Sequence, residues 1–297
     1  MHSNEVAKIA KLVLYNFSGV KYNPGYRKYF PSEKGKMIMK KLIAMLLVMV
    51  LALSLLTACG GKSASDVDAV KKNGKLVVGI TDYAPMDYKD ENGNWTGFDA
   101  EFAQLFAKEL GVDCEFYVIA DWSKKFLELE TKQIDAVWNG MTITEEAKLN
   151  SSVSDPYVIN AQVVVMSNEA LANYESTANL AGLSIAVESG SAGESCANEI
   201  ADVNVVPLQN QEAALMEVAA GTSDACIIDI TMANAMTGEG TSYSDLGYQL
   251  SLSEELYGVS FRKESDLTAE FNKFMAKLKA DGTLEALAAK YSLTLAN

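Results

Sequence analysis

From about residue 74 onward, short apolar runs of strand length alternate with longer segments of helical spacing, and this alternation constrains the chain more than any other feature. The candidate strands are 76–80, 114–119, 135–139, 162–166, 183–187, 203–206, 225–229 and 257–261. Several are continuous apolar runs, the pattern of strands covered on both faces. Between them, Phe102, Leu105, Phe106 and Leu110 recur at helical spacing and stop at Gly111. Ala214, Leu215, Val218 and Ala219 repeat the pattern and stop at Gly221. Glycine just beyond the last periodic residue is a helix stop signal. The end of the chain reads as two helices, 267–280 and 283–291, broken by Asp281-Gly282. Repeated strand-then-helix order predicts an α/β fold with largely parallel sheets.

Charge is distributed unevenly. Residues 1–58 carry nine Lys/Arg and two acids, a net of +7, and the remainder carries 16 Lys/Arg and 37 Asp/Glu, a net of -21. A body that acidic repels phosphate backbones, so no nucleic-acid partner is expected. The one histidine, His2, lies in the basic leader, so the body has no histidine for acid–base or triad chemistry and none for a zinc site. No metal and no cofactor is expected. Of the four cysteines, Cys114, Cys196 and Cys226 form no CxxC pair and read as small buried hydrophobes.

The leader has its own signature. Lys40-Lys41 precedes a fifteen-residue apolar run, 42–56. A comfortable membrane span needs about 20 residues, so the run fits the core of a signal peptide. Leu56-Thr57-Ala58-Cys59-Gly60 follows. It resembles the bacterial lipoprotein signal, which implies cleavage before Cys59 and lipidation of its sulfur. A signal peptide opens near the true N-terminus, so 37–58 is taken as the peptide and 1–36 as an over-extended start. Residues 59–73 are expected to be a polar tether on a lipid anchor, at the outer face of the cell membrane.

Seven ordered stretches carry a wider resemblance. They are Lys75–Pro85 (KLVVGITDYAP), Trp95–Asp99 (WTGFD), Asp135–Thr144 (DAVWNGMTIT), Ser154–Tyr157 (SDPY), Ser189–Ser191 (SGS), Asp224–Asp229 (DACIID) and Leu278–Leu284 (LKADGTL). Each is weak alone, but together they span some 220 residues in order. The chain resembles the polar amino-acid-binding family (family 3) of bacterial extracellular solute-binding proteins, which serve ABC importers. The resemblance implies a two-lobed periplasmic-binding-protein-like fold (type II), with two mostly parallel sheets joined by two hinge strands. Lobe 1 would be 74–162 plus 262–297 and lobe 2 would be 167–257. The crossings would fall at 162–166 and 258–261, with the ligand in the cleft between lobes. It further implies a monomer that hands a small polar ligand, an amino acid, to a permease and its ATPase subunit.

The family pattern assigns residues as well. Tyr83 would stack on the ligand, with packing within its loop as the other reading, and Trp122 would be a second aromatic wall, with packing at a helix start as the other reading. Asn139, Gly140, Met141 and Thr142 would form the binding turn, offering backbone groups and a hydroxyl. Asp229, at a strand end, would meet the ligand's ammonium, or would cap the helix from Ile230. Ser191 and the backbone of Ala192 would offer donors to a carboxylate at a helix start. The chain departs from the pattern at one position. Where the family has an arginine that clamps the ligand's carboxylate, this chain has Ala147. Three alternatives follow: Lys148 swings in, backbone donors and Ser191 suffice, or the ligand lacks an α-carboxylate. Two rival functions share the scaffold, a dehydratase-like enzyme and a ligand-sensing module. Importer genes beside this one would favour transport.

Overall fold

The computed structural model describes residues 65–297. The leader, Cys59 and the tether up to residue 64 lie outside the described residues. The first described element falls where a tether is expected. Helix α1 (Asp66–Asn73) opens on Ser65, whose hydroxyl accepts from the Asp68 amide, and closes on Gly74 in the left-handed conformation. Its Val70 is fully buried, and Asp66 bonds Arg262 Nε at 3.1 Å. Arg262 also reaches Asp135 at 2.9 Å and the Ile134 carbonyl at 2.7 Å. Residues 66–73 are thus part of the folded body rather than a tether. The pattern hides this because α1 has only three apolar positions, Val67, Ala69 and Val70, and is tied down also by the Arg262 pair and by Asp266, which accepts from the Asp66 and Val67 amides.

The chain continues through β1 (Lys75–Ile80), a short hairpin of β2 (Tyr88–Lys89) and β3 (Trp95–Thr96), α2 (Phe98–Leu110), β4 (Asp113–Val118), α3 (Lys125–Glu130), β5 (Ala136–Val137), α4 (Glu145–Asn150) and β6 (Ser152–Val153). It then crosses into β7 (Val158–Ser167), β8 (Ser184–Glu188), α5 (Ala192–Glu199), β9 (Asn204–Leu208), α6 (Gln211–Ala220), β10 (Ala225–Asp229), α7 (Ile230–Met236) and β11 (Leu246–Tyr257). It returns through β12 (Ser260–Phe261), α8 (Leu267–Asp281) and α9 (Thr283–Lys290).

Two five-stranded sheets result, ordered β4-β1-β5-β12-β6 and β11-β7-β10-β8-β9. These are the cores of the two lobes. Both sheets are mixed rather than mostly parallel. In the first, β1 runs parallel to β4 and β5, while β12 runs antiparallel to β5 and β6. In the second, β8 runs parallel to β9 and β10, while β7 runs antiparallel to β10 and β11. A chain that leaves a lobe and returns to it must enter the sheet on strands of opposite direction, which is the origin of the antiparallel half.

The first crossing also sits elsewhere than the pattern suggests. Residues 162–166 lie inside β7, paired with β10, so the first passage is the 154–157 segment between β6 and β7. The second is Gly258-Val259, between β11 and β12. A Cβ on Gly258 would come within 2.8 Å of Ile143 Cδ1, so a side chain in this passage would have to displace Ile143. The first lobe's core is an aromatic stack in which Phe102, Trp138 and Phe271 meet edge-on or tilted at 4.9–5.3 Å. Such pairs add about 0.5–1.5 kcal/mol each beyond burial. It ties α2 and α8 to the sheet and fixes the strand ends that carry the site.

Candidate functional site

The carboxyl ends of β1, β5, β8 and β10 face one another across the lobes. Between them lies a cavity of about 130 Å³. Of the nine residues expected to bind ligand, Trp122, Asn139, Gly140, Met141, Thr142, Ser191, Ala192 and Asp229 line this cavity. Tyr83 does not. Its hydroxyl bonds Thr231 Oγ1 at 2.5 Å and Tyr257 Oη at 2.6 Å. Its ring lies where a Cβ on Gly140 would reach it at 2.6 Å. Tyr83 therefore links the first lobe to the second beside the cavity rather than lining it.

The binding turn is held from below. Gly140 has φ of +55°, a conformation open to glycine, and its amide donates to Asp99 Oδ2 at 2.6 Å. The Tyr157 hydroxyl donates to the same oxygen at 2.8 Å. Burial pushes the Asp99 carboxyl up to about 7, partly offset by these two donors. Asn139 is also committed: its amide donates to the Thr81 carbonyl at 3.0 Å and to Asp87 Oδ2 at 2.8 Å. The Thr142 hydroxyl donates to Glu255 Oε2 at 3.0 Å.

From the second lobe, Asp229 ends β10. It occupies the N-cap position of α7 but makes no side-chain cap bond. Instead Oδ1 accepts from Asn160 at 2.5 Å and Gln162 at 2.7 Å, and Oδ2 accepts from Gln211. Burial raises this carboxyl to about 6, and the nearby Glu255 adds to the rise while the amides oppose it. Ser191 caps α5, its hydroxyl accepting from the Glu194 amide at 3.1 Å. Ala192 is the first residue of that helix, whose leading amides have no acceptor within the helix.

Sequence reasoning missed two buried charged groups of the cavity. Glu188, at the end of β8, is 4% exposed, and its Oε1 has no hydrogen-bond partner. Burial, then the charge on Asp229, lifts it to about 8, with Lys125 pulling the other way. Lys125, at the start of α3, is 6% exposed. Its Nζ donates to the Gly190 carbonyl at 2.8 Å across the cleft, and lies 5.2 Å from the Trp122 ring and 5.0 Å from the Phe126 ring. Desolvation lowers its pKa. Glu146, Gln162 and Gln211 complete the charged and amide lining. The available signals were the strand-end position of Glu188, the same as that of Asp229, and the three-residue step from Trp122 to Lys125. Lys148 does not swing in: it is bonded to Glu145 at 2.8 Å, and both side chains are more than half exposed. Among the described residues, no group of side chains is arranged to hold a metal.

A cleft between two α/β lobes, closed over a small polar cavity built at strand ends, defines a solute-binding protein. The chain belongs to the bacterial extracellular solute-binding proteins, family 3, which it matches over residues 76–294. It is 29% identical to the arginine-binding extracellular protein ArtP of Bacillus subtilis, over 85% of this chain and 98% of that protein. It is 30% identical to the lysine/arginine/ornithine-binding periplasmic protein of Escherichia coli K12, over 82% of this chain and 95% of that one. The structure of holo ArgBP from T. maritima aligns with a TM-score of 0.67 at 33% identity, covering 71% of this chain and 93% of that one.

Proposed function

We propose that the chain is the lipid-anchored binding component of an ABC importer, and that its ligand is an amino acid with a cationic side chain. The observation that carries this is the charge lining the cavity: Glu146, Glu188 and Asp229 against the single ammonium of Lys125. A zwitterionic amino acid brings one charge of each sign and leaves that excess of carboxyl groups uncompensated. A second cation on the ligand compensates it, and gives the buried Glu188 carboxyl, whose Oε1 has no partner, a charge to ionise against. Trp122 and Phe126 supply apolar walls for the aliphatic stem. The names of the arginine-binding and lysine/arginine/ornithine-binding relatives support the same ligand class. Binding rather than catalysis is the reading, since those relatives are binding proteins. Lipidation at Cys59 would hold the protein, as a monomer, at the outer face of the cell membrane beside its permease.

The test is a thermal-shift screen of residues 60–297 against the twenty amino acids, small amines, polyamines and carboxylates. A ligand at 100 times its Kd stabilises by about 2.7 kcal/mol. The expected result is a shift with L-arginine or L-lysine above that of any neutral amino acid. A larger shift with an acidic amino acid would overturn the reading. For the anchor, the full chain is expected to partition into detergent when expressed in bacteria, and a Cys59→Ser chain to remain aqueous.

A further inference from the structure

The cavity holds a cation in an unusual position. The Lys125 ammonium bonds the carbonyl of Gly190, the residue just before the Ser191 cap of α5. A positive charge at a helix N-terminus is unfavourable, because the helix dipole presents its own positive end there. Desolvation adds to the penalty, since Lys125 is more than nine-tenths buried. Buried ammonium groups are ordinarily paired. The Lys125 ammonium bonds only main-chain carbonyls among the described residues, those of Gly190 and Trp122; Glu146, Glu188, Asp121 and Glu194 act on it from further away. A buried ammonium, the free amides of a helix start and a cavity between them make a receptor for an anion.

Position 147 explains why an anion holder is needed there. Ala147 is 1% exposed and packs with Trp122, Leu129 and Met141 behind the cavity wall, so it offers no charge. Lys148 is engaged outside with Glu145. We propose that Lys125, on α3, holds the carboxylate of the captured amino acid, taking over from the arginine that the family pattern puts at position 147 on α4. The ligand then lies with its carboxylate between Lys125 and the start of α5, and its ammonium groups toward Glu188 and Asp229. The bond from Lys125 to Gly190 forms only when the two lobes meet, so capturing the carboxylate and closing the cleft draw on the same side chain. This inference rests on the cationic amino-acid reading above.

The experiment compares L-arginine with agmatine, which keeps the guanidinium and lacks the carboxylate, by isothermal titration on residues 60–297. Lys125→Met keeps the length and apolar stem of the side chain among Trp122 and Phe126, and thermal melting checks that it folds. The native chain should prefer L-arginine. Lys125→Met should weaken L-arginine by about 30-fold or more, as when one partner of a buried charge pair is removed, and leave agmatine within a few-fold. Lys125→Arg should retain part of the preference. An unchanged ratio between the two probes in Lys125→Met, whether both weaken or neither does, overturns the role for Lys125 and leaves the ligand class standing. A native chain that binds neither probe overturns both.

Discussion

Gly190 offers a substitution that separates closing the cleft from folding the lobe. It has φ of +75°, and a Cβ built on it would lie 2.5 Å from Ser123 Cα and 2.8 Å from Ser123 Cβ and N. Ser123 belongs to the first lobe and Gly190 to the second, so the collision exists only when the lobes meet. It is with two backbone atoms and the Cβ fixed to them, none of which can rotate aside. Gly190→Ala therefore carries two penalties. The left-handed backbone costs about 1–2 kcal/mol in the lobe itself, whether open or closed. The overpacked contact costs roughly 1–3 kcal/mol more in the closed form alone. Only the second weakens binding, by about 5- to 150-fold at 1.4 kcal/mol per factor of ten. Gly182→Ala is the control, because Gly182 has φ of +86° in the same lobe and nothing within 4 Å of its added Cβ. Both variants should lose similar stability to urea without ligand, and only Gly190→Ala should lose affinity for L-arginine by titration calorimetry. Equal affinities in the two variants would refute the claim that binding and closure are one event here.

Three further expectations can be measured on the same protein. Asp66→Ala strips one partner from the buried Arg262 and should cost about 2 kcal/mol in urea unfolding, the scale of a lost hydrogen bond to a charged group; no loss would restore 66–73 to the tether. Tyr83→Phe removes a hydroxyl that bridges the lobes, but Thr231 and Tyr257 still bond each other at 3.1 Å, so L-arginine affinity should fall only about fivefold, the equivalent of roughly 1 kcal/mol. Burial raises Asp229, Asp99 and Glu188 to about 6, 7 and 8, from ordinary values of 3.8 for Asp and 4.5 for Glu. The folded chain then keeps protons that the unfolded chain releases, so ligand-free stability should fall as pH rises from about 4 to 8, and a calorimetric melting temperature rising over that window would contradict the assignment.

The α/β character was legible because a strand buried on both faces is a continuous apolar run. Ala225–Asp229 is such a run, and all five of its residues are buried. β11 was not, and only its last residue, Tyr257, was anticipated. It is an edge strand, with exposed and half-buried residues alternating along Leu246–Tyr257, and it carries Glu254 and Glu255, so no apolar run betrays it. The hinge was misplaced for a related reason: 162–166 is the most apolar part of β7, but apolarity marks where a strand is covered by its own lobe, and a crossing is where that cover ends. Binding positions tied to glycine or to a strand end could be read, as Gly140 and Asp229 show. Lys125 and Glu188 become exceptional only when the opposite lobe desolvates them, and that proximity is absent from local spacing.

The same proximity accounts for how a cleft can lose the arginine of its family pattern and remain a receptor. The requirement is a cation held near the start of α5 with little freedom, and two elements of the first lobe border that point, α3 and α4. Ala147 makes α4 part of the apolar support behind Trp122 and Met141, while the cation moves to α3, where its ammonium lies over the Trp122 and Phe126 rings. A lysine cannot reproduce the two-pronged bond of a guanidinium. Its bond to the Gly190 carbonyl limits its motion once the lobes meet, and so the geometric definition an arginine carries in its own head group comes here from closure. Carboxylate recognition in this chain should therefore be more sensitive than an arginine clamp to anything that holds the lobes apart.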